Sequence, residues 1–130
     1  MLVVDASSLY EVVARGRRGD EVRRRLERAD ALAAPELIDA EVLGIIRRDH
    51  LAGRLDGTAA RVAVDELEEW PGERFRHRAF ISRAWELRDT VRTWDAFYVA
   101  LAEALDAPLL TLDGRLARAP GIRCTIEHLP

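Results

Sequence analysis

Lysine is missing altogether: all 20 basic side chains are arginine. Arginine is the side chain suited to two-pronged contacts with phosphate. The chain is also very rich in alanine, so a coding bias is the simpler explanation of the arginine. Cysteine is nearly absent too, with Cys124 alone, which excludes an internal disulfide and fits a reducing cytoplasm. The three histidines, His50, His77 and His128, lie far apart and have no cysteines at zinc-ligand spacing, which argues against a zinc site. No apolar run approaches the length needed to cross a membrane. The start of the chain lacks the basic-then-apolar pattern of a secretion signal, and Met1 leads straight into an apolar run. Nor is there an excess of positive charge. With 20 basic and 23 acidic residues the net charge is −3, so the molecule as a whole does not attract nucleic acid. At 130 residues, with ordinary proportions of apolar and charged residues, a single soluble domain spanning 1–130 is expected.

What is present is a pair of short apolar runs that each stop at an aspartate. Leu2-Val3-Val4 ends at Asp5, and Leu109-Leu110-Thr111-Leu112 ends at Asp113. Runs this short and this apolar read as strands buried on both faces of a parallel sheet. In open α/β sheets ligands gather beyond the carboxyl ends of the strands, where both aspartates stand. Asp5 also suits the N-cap of a helix beginning at Ala6-Ser7-Ser8, with Leu9, Val12 and Val13 at helical spacing. Both readings of Asp5 remain open on this pattern.

Two helices add further acids. The segment from about Glu36 to Ala52 is helical in pattern, with Pro35 expected in its first turn. Glu41 lies in line with Leu37 and Ile45 on one face. A glutamate there either takes a buried partner or sits at the edge of the stripe with its head in water. From Trp94 to Leu105 the only charged residues are Asp95 and Glu103, so this helix is expected to be largely enclosed. Asp95 aligns with Val99 and Ala102, and Thr93 is a candidate cap.

The remaining segments read as scaffold. A charged surface helix runs from about Asp20 to Ala29, with Asp20–Arg24, Glu21–Arg25 and Arg23–Glu27 at i,i+4 spacing. Ala31 to Ala34 reads as a strand. Thr58 is expected to cap a helix running to Trp70. Arg74 to Arg78 alternates like an edge strand, with His77 at the surface. Phe80 to Asp89 reads as a helix with Ile81, Ala84, Trp85 and Leu87 as its apolar members. Gly114 turns the chain into a short helix to Ala119, and Ile122 to Ile126 is expected as the last strand.

If the two aspartate-ended strands are parallel neighbours, Asp5, Glu41, Asp95 and Asp113 can meet in one crevice. Several carboxylates in one place raise one another's pKa and call for a compensating cation. Mg²⁺ and Mn²⁺ take oxygen ligands, retain waters and bridge to phosphate oxygens. Such a site activates water for in-line attack on a phosphodiester. Ser7 and Thr111 are candidates to orient the carboxylates or water through their hydroxyls.

Four segments carry a family resemblance: Val-Val-Asp-Ala-Ser at 3–7, Pro-Glu-Leu-Ile-Asp-Ala-Glu-Val-Leu at 35–43, Trp-Asp-Ala-Phe-Tyr-Val-Ala-Leu-Ala at 94–102 and Leu-Leu-Thr-Leu-Asp at 109–113. In order and spacing they resemble the PIN-domain family, most of all the VapC ribonuclease toxins of bacterial toxin–antitoxin pairs. That resemblance implies a three-layer α/β/α fold with a central, mainly parallel sheet. It implies a Mg²⁺- or Mn²⁺-dependent endoribonuclease whose metal-binding and catalytic acids are Asp5, Glu41, Asp95 and Asp113. An RNA substrate, a cognate VapB-like antitoxin and a homodimer follow from it as expected partners. Trp94 stands where tyrosine is common. Arg47, Arg88, Arg92 and Arg115 are candidate phosphate contacts, and apolar helices around 9–13 and 37–46 are candidates for a partner's groove.

Two other readings compete. A PIN-like binding module would act mainly through its antitoxin complex, but a degenerate site is its natural mark and all four acids are present. A phosphomonoester hydrolase of the type that opens on a strand usually carries Asp-x-Asp, and here Ser7 takes the third position.

Overall fold

In the computed structural model, which describes residues 1–130, the first strand is as short as its apolar run. Strand β1 (Leu2–Val4) is wholly buried and stops at Asp5. Asp5 is the N-cap of α1 (Ala6–Val13), accepting from the Ser8 amide, and α1 buries Leu9, Val12 and Val13. The charged helix α2 (Gly19–Glu27) follows and buries only Val22 and Leu26 among its large residues. Strand β2 (Leu32–Pro35), α3 (Leu37–Leu51) and α4 (Gly57–Glu69) come next. Strand β3 (Glu73–Phe75) leads through a single 3-10 turn into α5 (Ile81–Glu86) and α6 (Thr93–Ala104). Strand β4 (Leu109–Thr111), α7 (Gly114–Arg118) and β5 (Ile126–His128) complete the chain.

The five strands form one sheet in the order β3-β2-β1-β4-β5, and every pairing is parallel. The chain therefore builds outward from β1 to β2 and β3, then returns to build β4 and β5 on the other side. The order reverses between β1 and β4, which is where a doubly wound sheet opens a crevice. Registers Val3↔Leu109 and Val4↔Leu110 bring the ends of these two strands level. Helix α1 gathers α2, α3 and α4 around it, whereas α6 lies across β1, β2 and β4 with α5 alongside. This is the expected three-layer arrangement. One cluster of 30 buried apolar residues fills it.

Several local expectations are corrected. Pro35 ends β2, where its missing amide costs no ladder bond, and the next amide, Glu36, donates to Phe75. Asp56, not Thr58, caps α4, because its carboxylate reaches the Ala59 amide at 2.8 Å. Helix α6 has no side-chain cap; Thr93 is its first residue rather than the cap. Ile81 and Trp85 face solvent, since the short α5 turns Ala84 inward and Leu87 is buried just after it. The last strand is Ile126–His128 rather than 122–126, its register set by Leu109↔Ile126 and Thr111↔His128.

One buried acid belongs to the scaffold. Asp49 sits at the carboxyl end of α3, where the helix dipole disfavours it. The Tyr10 hydroxyl donates to it, Arg54 approaches at 2.8 Å and Arg48 at 3.3 Å. The Tyr10 bond, with help from Arg54 and Arg48, lowers its pKa from 3.8 to about 2. A depressed carboxylate stabilises the fold above its unfolded pKa and loses that contribution as pH falls through the folded value. Asp49→Asn should therefore melt below the wild type at pH 7, with the gap closing between about pH 4 and pH 2. Melts across that range, read by circular dichroism, check this.

Candidate active site

The end of β1 is fastened to the end of β4 through one carboxylate. Asp5 accepts from Ser7 Oγ at 2.8 Å, from the Ser8 amide at 2.9 Å and from Thr111 Oγ1. Both hydroxyls act twice. Ser7 Oγ accepts from the Leu112 amide at 3.2 Å, and Thr111 Oγ1 accepts from the Asp113 amide at 3.0 Å. Asp5 is only 3% exposed, and burial raises its pKa even against the donors from Thr111, Ser8 and Ser7. Asp5 is thus a helix cap at the strand ends, held there by hydrogen bonds from Ser7, Ser8 and Thr111.

Asp113 caps α7 through the Arg115 amide at 2.8 Å. Its other oxygen lies 3.8 Å from the Arg92 guanidinium, which also reaches Asp95 at 3.2 Å. Asp95 and Asp113 share a cleft of about 150 Å³, lined as well by Arg92 and Arg115. Burial raises the pKa of Asp95, with Arg92 opposing and Asp113 reinforcing the shift.

Glu41 projects from α3 toward the same place. Burial pushes its pKa up to about 7; Tyr98 opposes this, while Asp95 and then Asp5 reinforce it. The Tyr98 hydroxyl approaches Glu41 without bonding well. Glu41 Oε1 and the Tyr98 hydroxyl are both buried and lack a hydrogen-bond partner. An unpartnered buried carboxylate oxygen costs free energy and awaits a donor or a cation.

All four predicted acids thus gather at the carboxyl end of the sheet and act on one another electrostatically. They do not close into a cage: no three acidic, histidine or cysteine side chains cluster tightly enough to enclose an ion. An open acidic crevice of this kind suits a hard cation that keeps most of its waters and takes one or two carboxylates directly. Burial is the main cause of the raised pKa values of Asp5, Glu41 and Asp95, and neighbouring acids add to it at Glu41 and Asp95, where the Glu41 oxygen has no partner.

Of the candidate arginines, Arg92 and Arg115 lie at the acids. Arg88 instead stacks on Trp85, 4.7 Å from the ring centre, and Arg47 lines a groove between α3 and α4. Tyr98 escaped sequence reasoning, masked by the apolar run around it. Its signal was position: it follows Asp95 by three residues and so shares that face of α6.

Comparison with known proteins shows the family and the fold. The PIN domain family model matches residues 2–122. Ribonuclease VapC1 of Mycobacterium tuberculosis is 42% identical over 126 residues, covering 96% of this chain and 95% of the relative. Ribonuclease VapC3 of the same organism is 44% identical over 119 residues, covering 91% and 86% respectively. Among solved structures, VapBC2 from Rickettsia felis bound to a DNA fragment from their promoter superposes with a TM-score of 0.72 at 15% identity, covering 99% of this chain and 98% of that one. FitAcB from Neisseria gonorrhoeae superposes with a TM-score of 0.66 at 15% identity, covering 97% and 96%. At those identities the two structures speak to fold alone. In sequence over nearly its whole length, and in the architecture of its sheet, the chain belongs to the PIN-domain family, within its VapC group.

Proposed function

We propose that the chain is a metal-dependent endoribonuclease acting as the toxin of a toxin–antitoxin pair, with residues 1–130 working as one PIN domain. The observation that carries this is the acidic crevice at the reversal of strand order, with Glu41 Oε1 buried and unpartnered beside Asp95 and Asp5. Its relatives are named ribonucleases, which supports RNA as the substrate.

Asp5, Glu41, Asp95 and Asp113 would hold Mg²⁺ or Mn²⁺, directly or through its waters. When bound, the ion would supply an activated water and stabilise charge on the phosphate. The chain's own contribution is placement. Ser7, Ser8 and Thr111 fix the Asp5 carboxylate in one orientation, and the Thr111 hydroxyl ties the Asp113 backbone to the same point. Arg92, which spans Asp95 and Asp113, and Arg115 stand at the rim, where a phosphate would pass.

The cognate partner is a VapB-like antitoxin. A groove of about 320 Å³ between α3 and α4, lined by Leu43, Ile46, Ala60 and Val64, supports docking of an apolar helix face. Leu43 is 48% exposed there. The α1 segment offered for the same purpose is less suited, because Leu9, Val12 and Val13 are consumed by the core. A homodimer is the expected assembly. No helix is long and apolar enough to cross a membrane, and we place the protein in the cytoplasm.

Asp5→Asn, Glu41→Gln, Asp95→Asn and Asp113→Asn should each abolish cleavage of structured RNA in Mg²⁺. For Glu41 and Asp95, where burial penalises the charge, the amide should melt in EDTA no lower than the wild type. Cleavage by Asp5→Asn equal to the wild type would remove the proposed site, and an unfolded variant would make that acid structural. Thr111→Val keeps the strand but loosens Asp5, and should reduce cleavage by about 10- to 100-fold, the range for partners that orient metal ligands. Finally, Mg²⁺ should raise the melting temperature of the wild type and leave Glu41→Gln nearly unmoved, as scanning calorimetry with and without EDTA would show.

A further inference from the structure

Three tryptophans are present, and their surroundings differ. Trp70 is 7% exposed and lies beneath Arg74, whose guanidinium is 4.9 Å from the ring centre. Trp85 is 66% exposed but its face is taken by Arg88. Trp94 is 62% exposed, and no aromatic ring or guanidinium stacks on it. A bare indole is costly to leave in water, since it presents a large apolar face.

Its position is specific. Trp94 immediately precedes Asp95 in the first turn of α6. It also lies four residues before Tyr98, so the two occupy one helix face a turn apart. Tyr98 is fully buried, and its hydroxyl adjoins Glu41. Helical side chains lean toward the helix N-terminus. Asp95, the next residue, lines the cleft at that end of α6 with Asp113, so Trp94 stands exposed one residue from it. Arg92 and Arg115, with side chains 70% and 79% exposed, stand beside Asp95 and Asp113 at the same opening.

We infer that Trp94 is a stacking platform for a nucleobase next to the phosphate being cleaved. The inference rests on the ribonuclease reading of the crevice and says how RNA is held there. A guanidinium pair recognises the backbone without regard to sequence, whereas an exposed aromatic face takes a base only when it is not already stacked in a duplex.

The test uses the full chain in EDTA with two end-labelled RNA probes of equal length, one single-stranded and one a blunt duplex. Binding is read by anisotropy and by tryptophan emission. Trp94→Ala should weaken single-strand binding by about 5- to 100-fold, the loss expected for one stacked base. Trp94→Phe should retain most of the affinity, Trp94→Leu should behave like alanine, and duplex binding should change little. Single-stranded RNA should quench emission in the wild type and in Trp85→Phe, but not in Trp94→Phe. Melting temperatures should stay together, because so exposed a residue adds little to the fold.

Wild-type affinity in Trp94→Ala would overturn the inference, as would leucine serving as well as phenylalanine. A change in particle mass on gel filtration with RNA binding intact would assign Trp94 to a protein contact instead. In any of these cases continued cleavage of RNA in Mg²⁺ would leave the ribonuclease reading standing. A wild type that neither binds nor cleaves RNA would remove both.

Discussion

The structure turns on the bond between Asp5 and Thr111. Strands β1 and β4 are adjacent in the sheet, yet more than a hundred residues of chain separate them. Parallel strands have no hairpin to hold their ends level, and here the backbone ladder is reinforced by side chains at the strand ends. Asp5 does so from a buried position, with three donors converging on it, two from the start of α1 and one from β4. A carboxylate out of water is tolerated only when its lone pairs are filled in this way. The same bonds determine where Asp113 lies, because the hydroxyl that donates to Asp5 also accepts from the Asp113 backbone. Alignment of the sheet and alignment of the acids are one event.

The proposed function pulls against stability at the neighbouring acids. Burial and mutual repulsion favour the neutral forms of Glu41 and Asp95, while Arg92 alone spans two of the four carboxylates. A chain selected only to be stable would put amides or apolar groups there. Strain of this sort at a site, compensated by a well-filled core, is common where binding a cation has to be worth more than having none. Asp49 makes the contrast: it is buried, whereas Glu41 and Asp95 are half-buried, but with Tyr10, Arg48 and Arg54 about it the carboxylate is satisfied and belongs to the scaffold.

What could be read from sequence was whatever depended on local contrast. Leu2-Val3-Val4 before Asp5, and Leu109-Leu110-Thr111 before Asp113, stand out because a buried strand is abruptly interrupted by charge. Asp95 and Glu41 stand out for the same reason inside helical stripes. Choices among equivalent neighbours were not legible. Asp56 and Thr58 are both able to cap α4, and only the path of the chain selects the aspartate. The last strand could not be located from residues 122–126, because its register is decided by Thr111 meeting His128. Tyr98 was hidden because a tyrosine in an apolar run looks like core, which it also is; its hydroxyl matters only once α3 delivers Glu41 beside it.

The tie between residues 5 and 111 also has a meaning in time. Synthesis delivers Asp5 first, Glu41 next and Asp95 later, yet the crevice has no second wall until β4 has formed and Thr111 has found Asp5. Nearly the whole chain must leave the ribosome before the acids can assemble. A chain that stalls early carries three of the four acids and no site. The order of the sequence thus makes closure of the crevice one of the last events in building the fold.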